Sequence, residues 1–106
     1  MALDLFDQTG AVDTSKIAVV GAGTMGAGIA QVALEAGYPV TLIDSTQEAV
    51  DRGQQTIQGF LERKVTKETL TGQERDEMLA RLATSTDMEQ GVAGADMVVE
   101  AVFENL

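Results

Sequence analysis

The chain has 106 residues, 44% of them hydrophobic, with eleven glycines, a single proline and a formal net charge of −10. That length allows one domain at most, and the apolar content is enough to bury a core. The acidic balance argues against nucleic acid and anionic membrane as partners, and the absence of Cys and His excludes disulfides, thiol chemistry and imidazole as base or metal ligand.

Residues 1–15 are acidic, with neither a basic leader nor an apolar signal core, and read as a flexible N-terminal tail. No apolar run approaches the ~18 residues needed to span a membrane, so the expected location is cytoplasmic. Residues 17–20, Ile-Ala-Val-Val, form a short continuous apolar run of the kind found in a strand buried on both faces of a parallel sheet. Residues 25–36 are good helix formers, with Met25, Ile29, Val32, Ala33 and Ala36 at helical spacing. Gly37 supplies the stop and Pro39 prevents continuation. Residues 40–43, Val-Thr-Leu-Ile, make a second strand that ends at Asp44.

Three capping-box patterns follow, Ser45-x-x-Glu48, Thr71-x-x-Glu74 and Thr86-x-x-Glu89. The first opens a helix with a stripe at Ala49, Val50, Ile57, Phe60, Leu61 and Val65. The second opens a helix with Met78, Leu79 and Leu82 on one side, and residues 82–85 could be a short strand. The third opens one or two turns ended by Gly91 or Gly94. Asp96-Met97-Val98-Val99 begins a fourth, buried strand running to Ala101 or Val102. Strands alternating with helices predict an α/β fold with a Rossmann-type parallel sheet and right-handed crossovers. The two helices between the second and third strands exceed one crossover, and predict a helical pair projecting from the sheet.

The first turn, Gly21-Ala22-Gly23-Thr24-Met25-Gly26, has the form G-x-G-x-x-G. That motif alone is weak, but here a strand precedes it, a helix opens inside it, and a second strand ends in an acid. Gly21 permits the tight turn, Gly23 lets backbone approach a pyrophosphate, and Gly26 lets the helix pack on the strand. The helix start presents the N–H groups of Thr24 and Met25 to the phosphates. Asp44 suits the 2′- and 3′-hydroxyls of an adenosine ribose and would repel a 2′-phosphate. No Arg stands within seven residues after it, so NAD is favoured over NADP. The competing reading of Asp44 is a helix N-cap, which Ser45 makes unnecessary. Residues 16–106 are therefore read as a dinucleotide-binding domain, incomplete at its C-terminal side.

The run from Lys16 to Gln31, with Gly21 to Gly26 inside it, and the run from Asp96 to Leu106 together resemble the L-3-hydroxyacyl-CoA dehydrogenase family. The pair of capped helices between them also resembles that family's insertion. The resemblance implies NAD-dependent oxidation of (S)-3-hydroxyacyl-CoA to 3-ketoacyl-CoA, a step of fatty-acid β-oxidation. It also implies contacts near the nicotinamide half from Val102, Phe103 and Glu104, with Glu100 a strand-end carboxylate. Lys67 matches a CoA-contacting lysine, with Arg63 and Lys64 nearby. Residues 46–81 hold six of the seven basic side chains, and the phosphates of CoA require cations. The competing reading is solvated helix charge paired with Glu62 and Glu68, and Phe60 stands where a polar contact residue is expected.

The resemblance places the family's catalytic His–Glu pair, and the Ser and Asn that hold substrate, after residue 106. It also places there a helical domain that makes the dimer. The chain by itself is thus expected to bind cofactor without turnover. It is also expected to be marginally stable, or to pair with a second copy along the strand at 97–99. Two other readings compete: the cofactor domain of another NAD-dependent hydroxy-acid dehydrogenase, and a non-catalytic dinucleotide-sensing module.

Overall fold

The computed structural model describes residues 16–101, in the order β1 (Ile17–Val20), α1 (Thr24–Glu35), β2 (Val40–Ile43), α2 (Gln47–Thr66), α3 (Gly72–Ala80), β3 (Leu82–Ser85), α4 (Met88–Val92) and β4 (Met97–Glu100). The expected tail at 1–15 lies outside the described residues. The four strands form one parallel sheet in the order β3-β2-β1-β4. Ile17 pairs with Val40 on one side and Met97 on the other, and Val40 pairs with Leu82. The chain builds outward from β1 to β3, then returns past β1 to lay down β4. The reversal creates a switch point between β1 and β4, and in open α/β sheets ligands settle in the crevice beyond the strand ends there.

Alternation along the strands divides the core into two faces. Ile17, Val19, Val40 and Leu42 join Val50, Ile57 and Leu61 of α2, Leu34 of α1 and Tyr38 in the larger cluster. Ala18, Val20 and Ile43 turn to the other face, where Val92 and Ala95 pack on them. One face is thus covered by α1 and α2, and the other by the short α4.

The helix boundaries follow local chemistry. The α1 helix ends in a Schellman arrangement: the N–H of Gly37, at φ 100°, donates to the Leu34 carbonyl, and that of Tyr38 to the Ala33 carbonyl. Arg81, at the end of α3, donates to the Leu34 carbonyl at 2.7 Å. A cation therefore sits at the negative end of the α1 dipole. Thr71 and Glu74 form the expected capping box. The other two caps stand one residue later than their sequence patterns: Thr46 caps α2 by accepting from the Ala49 N–H, and Asp87 caps α4 by accepting from Gln90. In both cases the preceding residue still belongs to the strand exit, so the next competent side chain takes the cap.

Packing corrects three expectations. The face of α1 turned to the core is Gly26, Ala27, Ala30, Ala33 and Leu34, whereas Met25 and Val32 face solvent. Small residues win there because α1 lies so close to β1 and α2 that larger side chains are displaced outward. The helical pair does not project: α2 buries Val50, Gly53, Ile57 and Leu61, and α3 touches α1, α2 and β3. Finally, β4 is an edge strand with Met97 and Val98 exposed, not buried, because one neighbour and part of one face are open among the described residues.

Candidate functional site

A cavity of about 910 Å³ opens beyond the carboxyl ends of the strands. Its floor comes from Val20, Ile43 and Ala101 at the ends of β1, β2 and β4. One wall is the glycine loop, through Gly21, Gly23, Thr24 and Met25, and the other is Asp44, Ser45, Thr86 and Met88. The cavity thus stands at the switch point and extends toward β3.

The glycines of the loop have three separate tasks. Gly21 sits at φ 107°, a backbone region that L side chains rarely adopt, and this turns the chain sharply out of β1. A Cβ on Gly26 would stand 1.7 Å from the Gly21 carbonyl oxygen, so a hydrogen is all that fits where α1 passes the turn. A Cβ on Gly23 would meet nothing within 4 Å, so the space in front of the loop is open to a ligand. Gly23 is also the N-cap of α1 and contributes no side-chain cap. The first N–H groups of α1 that face the cavity, at Thr24 and Met25, have no partner one turn earlier in the helix and are available to an anion.

Two other loop donors are committed. The N–H of Gly21 donates to the Ile43 carbonyl at 2.7 Å, and that of Ala22 to Asp44 Oδ2 at 2.8 Å. Ala22 and Gly26, both named from the motif, are buried behind the loop and do not line the cavity. They shape it instead. The other carboxylate oxygen of Asp44 accepts from the Ser45 N–H at 2.6 Å. The Ala22 N–H, foremost, and the Ser45 N–H hold the Asp44 carboxyl below its ordinary value, against the opposing effect of burial. Asp44 therefore presents a fixed negative charge at the end of β2. It caps no helix, since Thr46 does so. No cation lines the cavity among the described residues, so a 2′-phosphate would meet Asp44 without a counter-charge. Together these features fit a dinucleotide: room for backbone to touch phosphate, free helix N–H groups, and an acceptor for ribose hydroxyls.

Two glycines that the motif does not include also set the site. A Cβ on Gly53 would lie 2.7 Å from the Ala22 carbonyl oxygen, so α2 presses on the back of the loop. A Cβ on Gly91 would lie 2.5 Å from Ile43, which brings α4 onto β2. The available signal was an isolated glycine within each helical pattern.

The cations expected to meet CoA stand at the C-terminal end of α2, away from this cavity. Lys64 is paired with Glu35, at the C-terminal end of α1, at 2.8 Å. Arg63 lies over the Phe60 ring at 5.2 Å, and Glu62 pairs with Arg75 instead of Lys64. Lys67 is exposed at the C-cap of α2. None of the three lines the cavity, because α2 is a 20-residue helix, about 30 Å long, whose N-terminal end is the one near Asp44. Glu100 is exposed at the end of β4. Val102, Phe103 and Glu104 lie outside the described residues.

Known proteins agree with this geometry. Residues 16–106 match the family model for the 3-hydroxyacyl-CoA dehydrogenase NAD binding domain. Over 95 residues the chain is 41% identical to 3-hydroxyadipyl-CoA dehydrogenase of Escherichia coli, covering 90% of this chain and 20% of that protein. It is 43% identical over 90 residues to a probable 3-hydroxybutyryl-CoA dehydrogenase of Deinococcus radiodurans, covering 85% and 32%. The solved structure of (S)-3-hydroxybutyryl-CoA dehydrogenase from Ralstonia eutropha superposes with a TM-score of 0.82 at 38% identity, covering 88% of this chain and 32% of that one. The chain thus spans less than a third of the length of these relatives. A glycine loop and acid arranged for a dinucleotide, on a sheet shared with these enzymes, place the chain in the 3-hydroxyacyl-CoA dehydrogenase family as a member of its NAD-binding domain.

Proposed function

We propose that this chain is the cofactor-holding part of an enzyme that oxidises (S)-3-hydroxyacyl-CoA to 3-ketoacyl-CoA. The observation that carries the reading is the shared cavity of Gly23 and Asp44, open at the first and negatively charged at the second. The N–H groups of Thr24 and Met25 would hold the pyrophosphate, with Gly21 and Gly23 letting it approach. Asp44 would accept the ribose hydroxyls and select NAD over NADP. NAD, when bound, supplies the hydride acceptor. Val102, Phe103 and Glu104 would continue the site toward the nicotinamide.

Oxidation also releases the proton of the substrate hydroxyl, which requires a base. The chain contains no His to take it. The 106 residues alone therefore bind NAD and do not turn over. Lys67, which makes no ion pair among the described residues, would meet a CoA phosphate, with Arg63 and Lys64 nearby. The whole enzyme would act as a homodimer. Among the described residues no helix is long and apolar enough to cross a membrane, and we assign the protein to the cytoplasm.

Calorimetry of the chain with NAD, NADP and acetoacetyl-CoA tests the reading. Binding of NAD in clear preference to NADP is expected, without oxidation of NADH in the presence of acetoacetyl-CoA. Equal affinity for the two cofactors, or robust turnover, would overturn it.

A further inference from the structure

We propose that Met88 is the side chain against which the adenine ring of the dinucleotide packs, so that the site reads its base through a thioether at the start of α4. The inference rests on the NAD reading above and adds a residue outside the glycine motif. It follows from the order of the strands. The loop after β1 faces the pyrophosphate, and Asp44 at the end of β2 faces the ribose. The next group outward is the base, and the next strand outward is β3. The Asp44 N–H donates to the Ser85 carbonyl at 3.2 Å, so the turn after β3 runs beside Asp44 and Ser45. Thr86 and Met88 from that turn line the cavity next to Ser45.

Met88 is 50% exposed although it lines the cavity. Its backbone is fixed from both sides. The Ser85 hydroxyl accepts from the Asp87 N–H at 3.0 Å and donates to the Asp87 carbonyl at 3.1 Å. The Asp87 carboxylate is turned to the Gln90 N–H, and Gly91 seats α4 on Ile43. The side chains of Ser85 and Asp87 are thus committed to the turn itself, and Met88 is the turn's long apolar side chain facing the cavity, as Met25 is the glycine loop's. No aromatic side chain lines the cavity among the described residues. A purine face needs an apolar, polarisable surface, and a thioether beside an aromatic ring supplies one.

The test uses the full chain with methyl-labelled methionine, titrated separately with AMP, NAD and nicotinamide mononucleotide. AMP and NAD should move the Met88 methyl resonance upfield through the ring current of adenine, and nicotinamide mononucleotide should not. Met88→Ala should weaken AMP and NAD by about tenfold, since it removes most of one apolar side chain's contact. It should leave nicotinamide mononucleotide and thermal stability unchanged, while Met88→Leu should stay within about twofold of the parent chain. A Met88 methyl unmoved by saturating AMP, or a Met88→Ala chain with unchanged AMP affinity, overturns this inference and leaves the NAD reading standing. Failure of the parent chain to bind either NAD or AMP overturns both.

Discussion

Asp44 accepts the backbone N–H of Ala22 at 2.8 Å, tying the end of β2 to the middle of the glycine loop. The acid proposed to meet the ribose is therefore also a strut of the loop proposed to meet the pyrophosphate. Replacing it has two separable effects. Asp44→Asn keeps an oxygen for Ala22 and removes the charge, while Asp44→Ala removes both. Both variants should lose the preference for NAD over NADP. Only Asp44→Ala should also lose about 1 kcal/mol of stability, for an unsatisfied, largely buried N–H. Cofactor titrations combined with urea unfolding separate the two effects, and identical behaviour of the two variants would contradict the strut.

The same bond sets a pH dependence. The folded-state pKa of Asp44 lies below its ordinary value, chiefly through the Ala22 N–H. A group shifted this way contributes stability that is present above its unfolded pKa, about 3.9, and lost as pH falls through the folded value. The stability difference between the parent chain and Asp44→Ala should thus be constant from about pH 5 to 7 and shrink below about pH 4. Urea midpoints measured across that range check it, and a difference that grows on acidification would refute it.

The loop glycines should divide by mechanism. Gly23→Val meets open space, so it should fold as the parent does and abolish NAD binding by occupying the phosphate position. Gly26→Ala would drive a methyl to 1.7 Å from the Gly21 oxygen, and Gly53→Ala to 2.7 Å from that of Ala22. Both contacts are with backbone, which cannot move aside as a side chain does. Each should cost about 1–3 kcal/mol or more of stability. Unfolding curves beside cofactor titrations distinguish the classes, and unfolding of Gly23→Val would sink the assignment.

The exposed edge at β4 leaves Met97 and Val98 in solvent, with Asp96 and Glu100 as flanking charges and no Lys or Pro to guard it. The chain should therefore show fast amide exchange at residues 97–100 as a monomer, or self-associate through this strand. Slow exchange there in a species that sediments as a monomer would exclude both outcomes.

Local signals were enough for much of this molecule. The apolar runs at 17–20 and 40–43, the glycine turn between them and the acid at Asp44 are contiguous features, and each has one local geometry that satisfies it. The capping box at Thr71 and the stop at Gly37 are of the same kind. In the α1 stripe Ala33 joins the core and Ile29 and Ala36 pack against it, but Met25 and Val32 misled, because helical periodicity identifies two apolar faces when alanines and larger side chains are mixed. Close approach of α1 to its neighbours then chose the alanines. The caps at Thr46 and Asp87 depended on where each strand ended, which sheet pairing decides and not residue type.

What lay beyond the sequence was every relation between distant segments. The bond from Asp44 to Ala22, the press of Gly53 on the loop, and the pairing of Lys64 with Glu35 join residues far apart in the chain. Residue type and spacing show which groups are available, such as the N–H of Ala22 and the ammonium of Lys64. Only the packed fold shows which are already taken. Charge and hydrogen-bonding capacity belong to the sequence, but their direction and their partners are settled when parallel strands bring the ends of β1, β2 and β3 side by side.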